Sequence, residues 1–378
     1  MRHYLDNAAT APMRPEAYAA ITETLQLTGN ASSLHGSGRR LRAVLEDARD
    51  QLAADLGCDP VEVVFTSGGT EADNLAVQGA WRARPTGRIG LRERLVSSTI
   101  EHPAVADTLA ALAAEGADVA RCPVGADGRL DPEALAALLE VPTLLTTVMW
   151  VNNELGVAQD LAAVVDAART AGSWVHSDGV QALGHLPVDF AGSGLDLLTV
   201  TGHKVGGPVG LGALLVRREL PLRAYAFGGG QERDLRSGTA APALAAGFAA
   251  AVHAAVTERK TEEARLAGLR ERLLAGLPED ARVNGGPGSA AIINVWFPGC
   301  RSDDLLMLLD GAGIDCSAGS ACSAGVTRPS DVLLALGHDE ARATESLRFS
   351  LGWASTEADV DALLAVLPAV VSRARAAH

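Results

Sequence analysis

From residue 61 to residue 216, short apolar runs alternate with amphipathic helical stretches, and this alternation constrains the fold more than any other feature. The runs at 61–66, 95–99, 118–121, 144–151, 174–177, 195–200 and 212–216 read as strands, with helices opened by Gly68-Gly69-Thr70-Glu71, following Pro103 and capped by Asp131-Pro132-Glu133, and another at about 161–171. Strands joined through helices pair in parallel, and a continuous apolar run such as 144–151 suits a central strand covered on both faces. The expected fold class is therefore α/β: a large doubly wound, mostly parallel-sheet domain whose ligand site lies at the carboxyl ends of its strands. Before it come an extended arm at 4–12, a helix at 15–27, a polar loop at 29–38 and a long amphipathic helix to about residue 56.

A long helix from about 242 to 277 leads to a smaller α+β domain. Strands are expected there near 291–297 and 347–350, with helices near 303–311, 330–336 and 357–376. The expected division is residues 16–250 for the large domain, and 1–15 with 251–378 for the small one.

Charge and cysteine content narrow the function classes. The formal net charge is −14, which opposes non-specific binding to nucleic acid or anionic membrane. Five cysteines are an odd number without a C-x-x-C pair, which fits neither a disulfide framework nor a zinc site and fits a reducing cytoplasm. The opening segment Met1-Arg2-His3-Tyr4-Leu5-Asp6 has no apolar leader, and no charge-free apolar run reaches transmembrane length. A soluble cytoplasmic protein with no bound metal is expected.

The chain contains two lysines, Lys204 and Lys260, among its 32 Lys+Arg. Lys260 lies in the charged run Thr257-Glu258-Arg259-Lys260, a solvated helix face. Lys204 sits between an apolar run and a glycine-rich turn, in Thr201-Gly202-His203-Lys204-Val205-Gly206-Gly207. Arginine serves for ion pairs, but a guanidinium stays protonated and forms no Schiff base, whereas a desolvated lysine amine can. Lys204 thus points to amine chemistry with an aldehyde.

Polar groups follow four of these strands: Glu101-His102, Asn152-Asn153-Glu154, Ser177-Asp178-Gly179-Val180-Gln181, and Thr201 to Lys204. Any one of them could be turn or capping chemistry; together, at one end of a sheet, they form a site. Ser67-Gly68-Gly69-Thr70 leads into a helix N-terminus, whose free N–H groups and positive dipole end suit a phosphate. A phosphate cup, an aspartate and a lysine are what pyridoxal phosphate requires, the aspartate pairing with the ring nitrogen.

Taken in order, several segments resemble the cysteine desulfurases of the class V aminotransferase group, within the fold-type I pyridoxal phosphate enzymes. They are Tyr4-Leu5-Asp6-Asn7-Ala8-Ala9-Thr10, Thr66-Ser67-Gly68-Gly69-Thr70-Glu71-Ala72-Asp73-Asn74, Val151-Asn152-Asn153-Glu154, His176-Ser177-Asp178-Gly179-Val180-Gln181, Gly202-His203-Lys204, Arg236-Ser237-Gly238-Thr239, Ser320-Ala321-Cys322-Ser323 and Leu347-Arg348-Phe349-Ser350. More narrowly, the chain resembles the group serving iron–sulfur cluster assembly and tRNA thiolation.

The resemblance implies that Lys204 holds the cofactor, Asp178 pairs with the ring nitrogen and Gln181 lies at the ring hydroxyl. Asn153 contacts the cofactor, and His102 stacks on the ring and handles protons. Gly69, Thr70, Thr201 and His203 bind the phosphate. Thr239 reaches the phosphate of a neighbouring subunit, which implies a homodimer. Arg348 clamps the carboxylate of L-cysteine, with Asn30 assisting. Cys322 takes the substrate sulfur as a persulfide, L-alanine leaves, and the sulfur passes to an acceptor protein. The small-residue loop from Ala318 to Arg328 is expected to be mobile around Cys322, and Cys316 is expected to be an inert packing residue.

Two departures stand out. Gly207-Pro208-Val209-Gly210 replaces a Gly-Pro-Lys-Gly run, with little expected consequence. The chain ends at His378, soon after its last helix pattern, where members that dock an iron–sulfur scaffold continue further, so that docking mode is not expected. Two other readings stay open at this level: a sibling enzyme (a selenocysteine lyase or an aminotransferase) and a non-catalytic scaffold. The Cys322 loop argues against an aminotransferase, and Lys204 with Asp178 against a scaffold.

Overall fold

The computed structural model describes residues 2–84, 93–319 and 328–377; Cys322 and most of its loop, with the mobility expected there, lie outside them. Strand β1 (His3–Tyr4) opens the chain, followed by helices α1 (Pro15–Leu25) and α2 (Gly36–Leu56). The alternating region comprises β2 (Val63–Thr66), α3 (Gly69–Ala83), β3 (Arg94–Ser98), α4 (Pro103–Ala114), β4 (Asp118–Cys122) and α5 (Pro132–Leu139). It continues with β5 (Thr143–Thr147), α6 (Leu161–Thr170), β6 (Trp174–Asp178), α7 (Phe190–Ser193), β7 (Leu197–Thr201) and β8 (Gly212–Val216). Helix starts carry local signals: Asp131 caps α5 through its side chain and His102 caps α4, each followed by a proline at the first helical position.

These strands form a seven-stranded sheet in the order β2-β8-β7-β6-β5-β3-β4. β8 pairs antiparallel to both β2 and β7, and the remaining neighbours are parallel. Successive side chains alternate between two buried faces. Phe65, Leu198, Val200 and Leu215 join one apolar cluster with α2, while Val64, Leu197, Leu214 and Val216 join another with α3 and α4. The apolar run at 144–151 is not one strand. β5 ends at Thr147, and Val151 leaves the sheet to bridge Ala158.

Helix α8 (Pro242–Ala275) spans 34 residues, roughly 50 Å at the usual helical rise. Ala245 to Ala255 lie in the cluster with α2. Leu266, Leu269 and Leu273 lie in a separate cluster with Leu5, β10 (Ile292–Trp296), β12 (Ser346–Ser350) and α12 (Glu357–Ala376). Around β10 the sheet order is β12-β10-β9, where β9 is Arg282–Asn284. This region also holds α9 (Ser302–Gly311), β11 (Ile314–Asp315), α10 (Asp331–Ala335) and α11 (Glu340–Thr344). β1 pairs with β11, and Asp6 bridges Ser350, so the N-terminal arm runs beside the last strand toward the large sheet. No helix among the described residues is long and apolar enough to cross a membrane.

Candidate active site

The carboxyl ends of β2, β3, β5, β6 and β7 face the same side of the sheet, because β2 runs with β7 through the antiparallel β8. A cleft of about 380 Å³, open to solvent, lies there. Gly69, Thr70 and His102 line it, as do Asn153, Asp178 and Gln181, then Thr201, His203 and Lys204, and Arg348 from β12. Thr239 and Asn30 do not join them. Thr239 lines a different hollow beside Ser67 and Gly210. Asn30 is exposed, its side-chain oxygen accepting the Ser32 amide at 2.8 Å.

Lys204 sits in the β7–β8 turn. That turn depends on Gly206, whose φ is +82° and where a Cβ would fall 2.6 Å from Cγ of Arg14. The Lys204 amine donates to the carbonyls of Ala8 and Ala9, at 2.5 and 2.8 Å. Desolvation, with the nearby Arg348 charge, pushes its pKa down to about 8. Gln181 Nε2 also donates to the Ala8 carbonyl, at 2.9 Å, and Thr10 hydrogen-bonds His203 Nδ1 at 3.0 Å. The arm from Asp6 to Ala11 thus touches four of the expected site residues: Lys204, Gln181, His203 and Arg348.

Asp178 ends β6, 5 % exposed, and accepts the Val180 amide at 2.9 Å. Burial raises its pKa, opposed by His102, that amide and Lys204. Asp73, on α3, is a further acidic group of the site, beyond those expected from the sequence. It is fully buried, and single ligand atoms of Asp73, His102 and Asp178 lie within 4.8 Å of one another. Burial and the Asp178 charge hold Asp73 well above the usual carboxylate range. Two buried carboxyls this close cannot both ionise freely, and the amide of Val180 and the nearby Lys204 amine favour Asp178 as the charged member. Glu101, also buried, has its pKa pushed up to about 8 by desolvation. His102 accepts the Ala104 amide on Nδ1, and burial lowers its pKa, so it is a neutral imidazole with its proton on Nε2.

Helix α3 begins without a side-chain cap, at Gly68. A Cβ on Gly69 would meet Cγ2 of Val180 at 3.1 Å, so the first turn packs closely against the turn after β6. An uncapped helix N-terminus, a buried carboxylate and a desolvated lysine amine facing one cleft fit the phosphate, ring nitrogen and aldehyde of pyridoxal phosphate. Arg348 is 5 % exposed; its Nη1 donates to the Asn153 carbonyl at 2.9 Å and its Nη2 to Asp6 at 2.7 Å. Its backbone pairs with Ser317, at the start of the segment leading to Cys322. Glu154, another group without an assigned role, accepts from Ser330 Oγ at 2.6 Å, and a Cβ on Gly319 would come within 2.9 Å of its carboxylate.

A profile of the family Aminotransferase class-V matches residues 3–363. The IscS-like cysteine desulfurase of Mycobacterium tuberculosis is 48% identical over 383 residues, covering 99% of this chain and 97% of that protein. The cysteine desulfurase IscS of Salmonella arizonae is 39% identical, covering 98% and 93%. Among solved structures, a NifS-like protein superposes with a TM-score of 0.92 at 31% identity, covering 99% of this chain and 100% of that one. The X-ray structure of a NifS-like protein from Rickettsia africae gives 0.88 at 27%, covering 98% and 100%.

Proposed function

This chain belongs to the aminotransferase class-V family and, within it, to the cysteine desulfurases, and we propose that it works with pyridoxal phosphate held by Lys204 and with Cys322 as sulfur acceptor. The observation that carries this reading is the cleft in which the desolvated Lys204 amine, the buried Asp178, the uncapped start of α3 and the Arg348 guanidinium converge. The cofactor, when bound, supplies an aldehyde for the substrate amine and a ring that accepts electrons from the α-carbon.

The protein residues supply the rest. Arg348 binds the α-carboxylate and fixes the orientation of L-cysteine. Asp178 holds the ring-nitrogen end, and the N–H groups of Gly69 and Thr70, with Thr201 and His203, hold the phosphate. Lys204, with its pKa lowered to about 8, takes the α-proton and later returns it to the α-carbon, while the proton given up by the substrate thiol goes to the β-carbon as its sulfur leaves. His102, which lines the same cleft, stacks on the ring and handles protons through Nε2. The Cys322 thiolate attacks the substrate sulfur: the carbon–sulfur bond breaks as the sulfur–sulfur bond forms, leaving a persulfide on Cys322 and releasing L-alanine. A homodimer in which Thr239 serves the neighbouring site, and transfer of the sulfur to an iron–sulfur scaffold or a tRNA-thiolation protein, complete the proposal.

The experiment is single turnover with L-cysteine in the absence of reductant. One added sulfur on the Cys322 peptide, with one L-alanine per site, is expected by mass spectrometry. Alanine formed without sulfur on that peptide would overturn the reading.

A further inference from the structure

Arg348 does not wait for its ligand as a bare cation. Its Nη2 meets the Asp6 carboxylate at 2.7 Å, with Asp6 22% exposed and Arg348 5%. Its Nη1 is taken by the Asn153 carbonyl, and its buried Nε has no partner. The other carboxyl close to it, Glu154, is buried, has a raised pKa and is occupied by Ser330, so it does not supply the neutralising charge. Asp6 does.

We propose that Asp6 is the resting counter-ion of Arg348, which the carboxylate of an incoming amino acid must share or displace, so that Asp6 sets how tightly α-carboxylate ligands are held. The inference rests on the reading of Arg348 as the carboxylate clamp. Substrate and product carry the same carboxylate, so a clamp of full strength would hold L-alanine as firmly as L-cysteine. A built-in competitor keeps the clamp selective for carboxylates yet weak enough to release product.

Asp6 is free to act this way because its side chain does not anchor the arm. The Tyr4 hydroxyl binds the carbonyls of Asp6 and Thr10, at 3.0 and 2.7 Å. Ser350 N–H donates to the Leu5 carbonyl at 2.7 Å, and the Asn7 side chain donates to the Ser350 carbonyl at 2.9 Å. Replacing the carboxylate leaves these bonds in place.

The test is an absorbance titration of the holoenzyme with L-alanine and with ethylamine, the same amine without its carboxylate. In Asp6→Asn, L-alanine should bind about fivefold more tightly, the scale of a partly exposed ion pair, while ethylamine changes by less than about twofold. Asp6→Ala should tighten L-alanine at least as much. Unchanged or weaker L-alanine binding in both variants overturns the proposal, and weaker binding of both ligands would make Asp6 a support for the arm. Arg348→Ala separates the two levels. If it binds L-alanine as the wild type does, the clamp reading fails as well; if it loses L-alanine while the Asp6 variants show no tightening, only the role of Asp6 fails.

Discussion

Nδ1 of His102 accepts the backbone N–H of Ala104 at 3.1 Å. One imidazole therefore caps helix α4 with one nitrogen and presents the other to the cleft. Asparagine is also a good cap, so His102→Asn should keep the helix start while removing the ring. Thermal unfolding should be unchanged, and kcat should fall by about 10²-fold, the usual worth of a positioned acid–base group. A fall in stability with kcat intact would reduce His102 to a cap.

Lys204 should bind the cofactor covalently, and its pH dependence has a fixed sign. Burial disfavours the ammonium and lowers its pKa from 10.5 to about 8. Below that pH the amine is protonated and cannot attack an aldehyde; above it the free amine predominates. Cofactor attachment to the cofactor-free protein, followed by absorbance, should speed up with pH, reach half its maximum near pH 8 and then level off. After borohydride reduction, peptide mapping should find the pyridoxyl group on Lys204 and none on the exposed Lys260. A rate still climbing at pH 10 would show that the amine is not desolvated.

Cys316 and Cys322 should differ sharply. Burial, with Asp6 and Asp315 nearby, pushes the Cys316 thiol up to about 12, so it is not a nucleophile at neutral pH. Cys316→Ala should retain most sulfide release, whereas Cys322→Ala should still bind cofactor and L-cysteine but release none. Full turnover by Cys322→Ala would revive the sibling-enzyme reading.

Thr239 lies outside the cleft of its own chain, beside Ser67 and Gly210. If it serves a neighbour, mixing Lys204→Ala protein with Thr239→Val protein creates dimers in which one site has both native residues. Activity at limiting cofactor should then rise above that of either parent. No gain from subunits shown by sedimentation to have exchanged would confine Thr239 to its own chain.

The alternation of strand and helix was legible because both faces of the sheet are buried, and apolar runs such as 195–200 register that directly. The end of β5 was not: Val148 and Met149 are as apolar as the strand they follow, and nothing in composition marks where the chain leaves the sheet. β9 is only Arg282–Asn284, too short to show a period. The polar residues following strands could be read because loops at sheet ends carry chemistry. Asp73 is hard to read from sequence because acidic residues on helices usually face water. Its signal was its place among Ala72, Leu75 and Ala76, on the face that packs inward. Asp6 gave no signal, since its partner Arg348 lies 342 residues away.

Helix α8 runs through two apolar clusters as a single rigid rod. A rod shared by two bodies transmits torque: repacking around Leu269 tilts the end near Ala249, and the reverse holds. Neither cluster can be cut from the other without splitting a helix and leaving an apolar stripe bare. A chain shortened within α8 should therefore aggregate instead of yielding a stable half, and heat should melt both clusters in one transition.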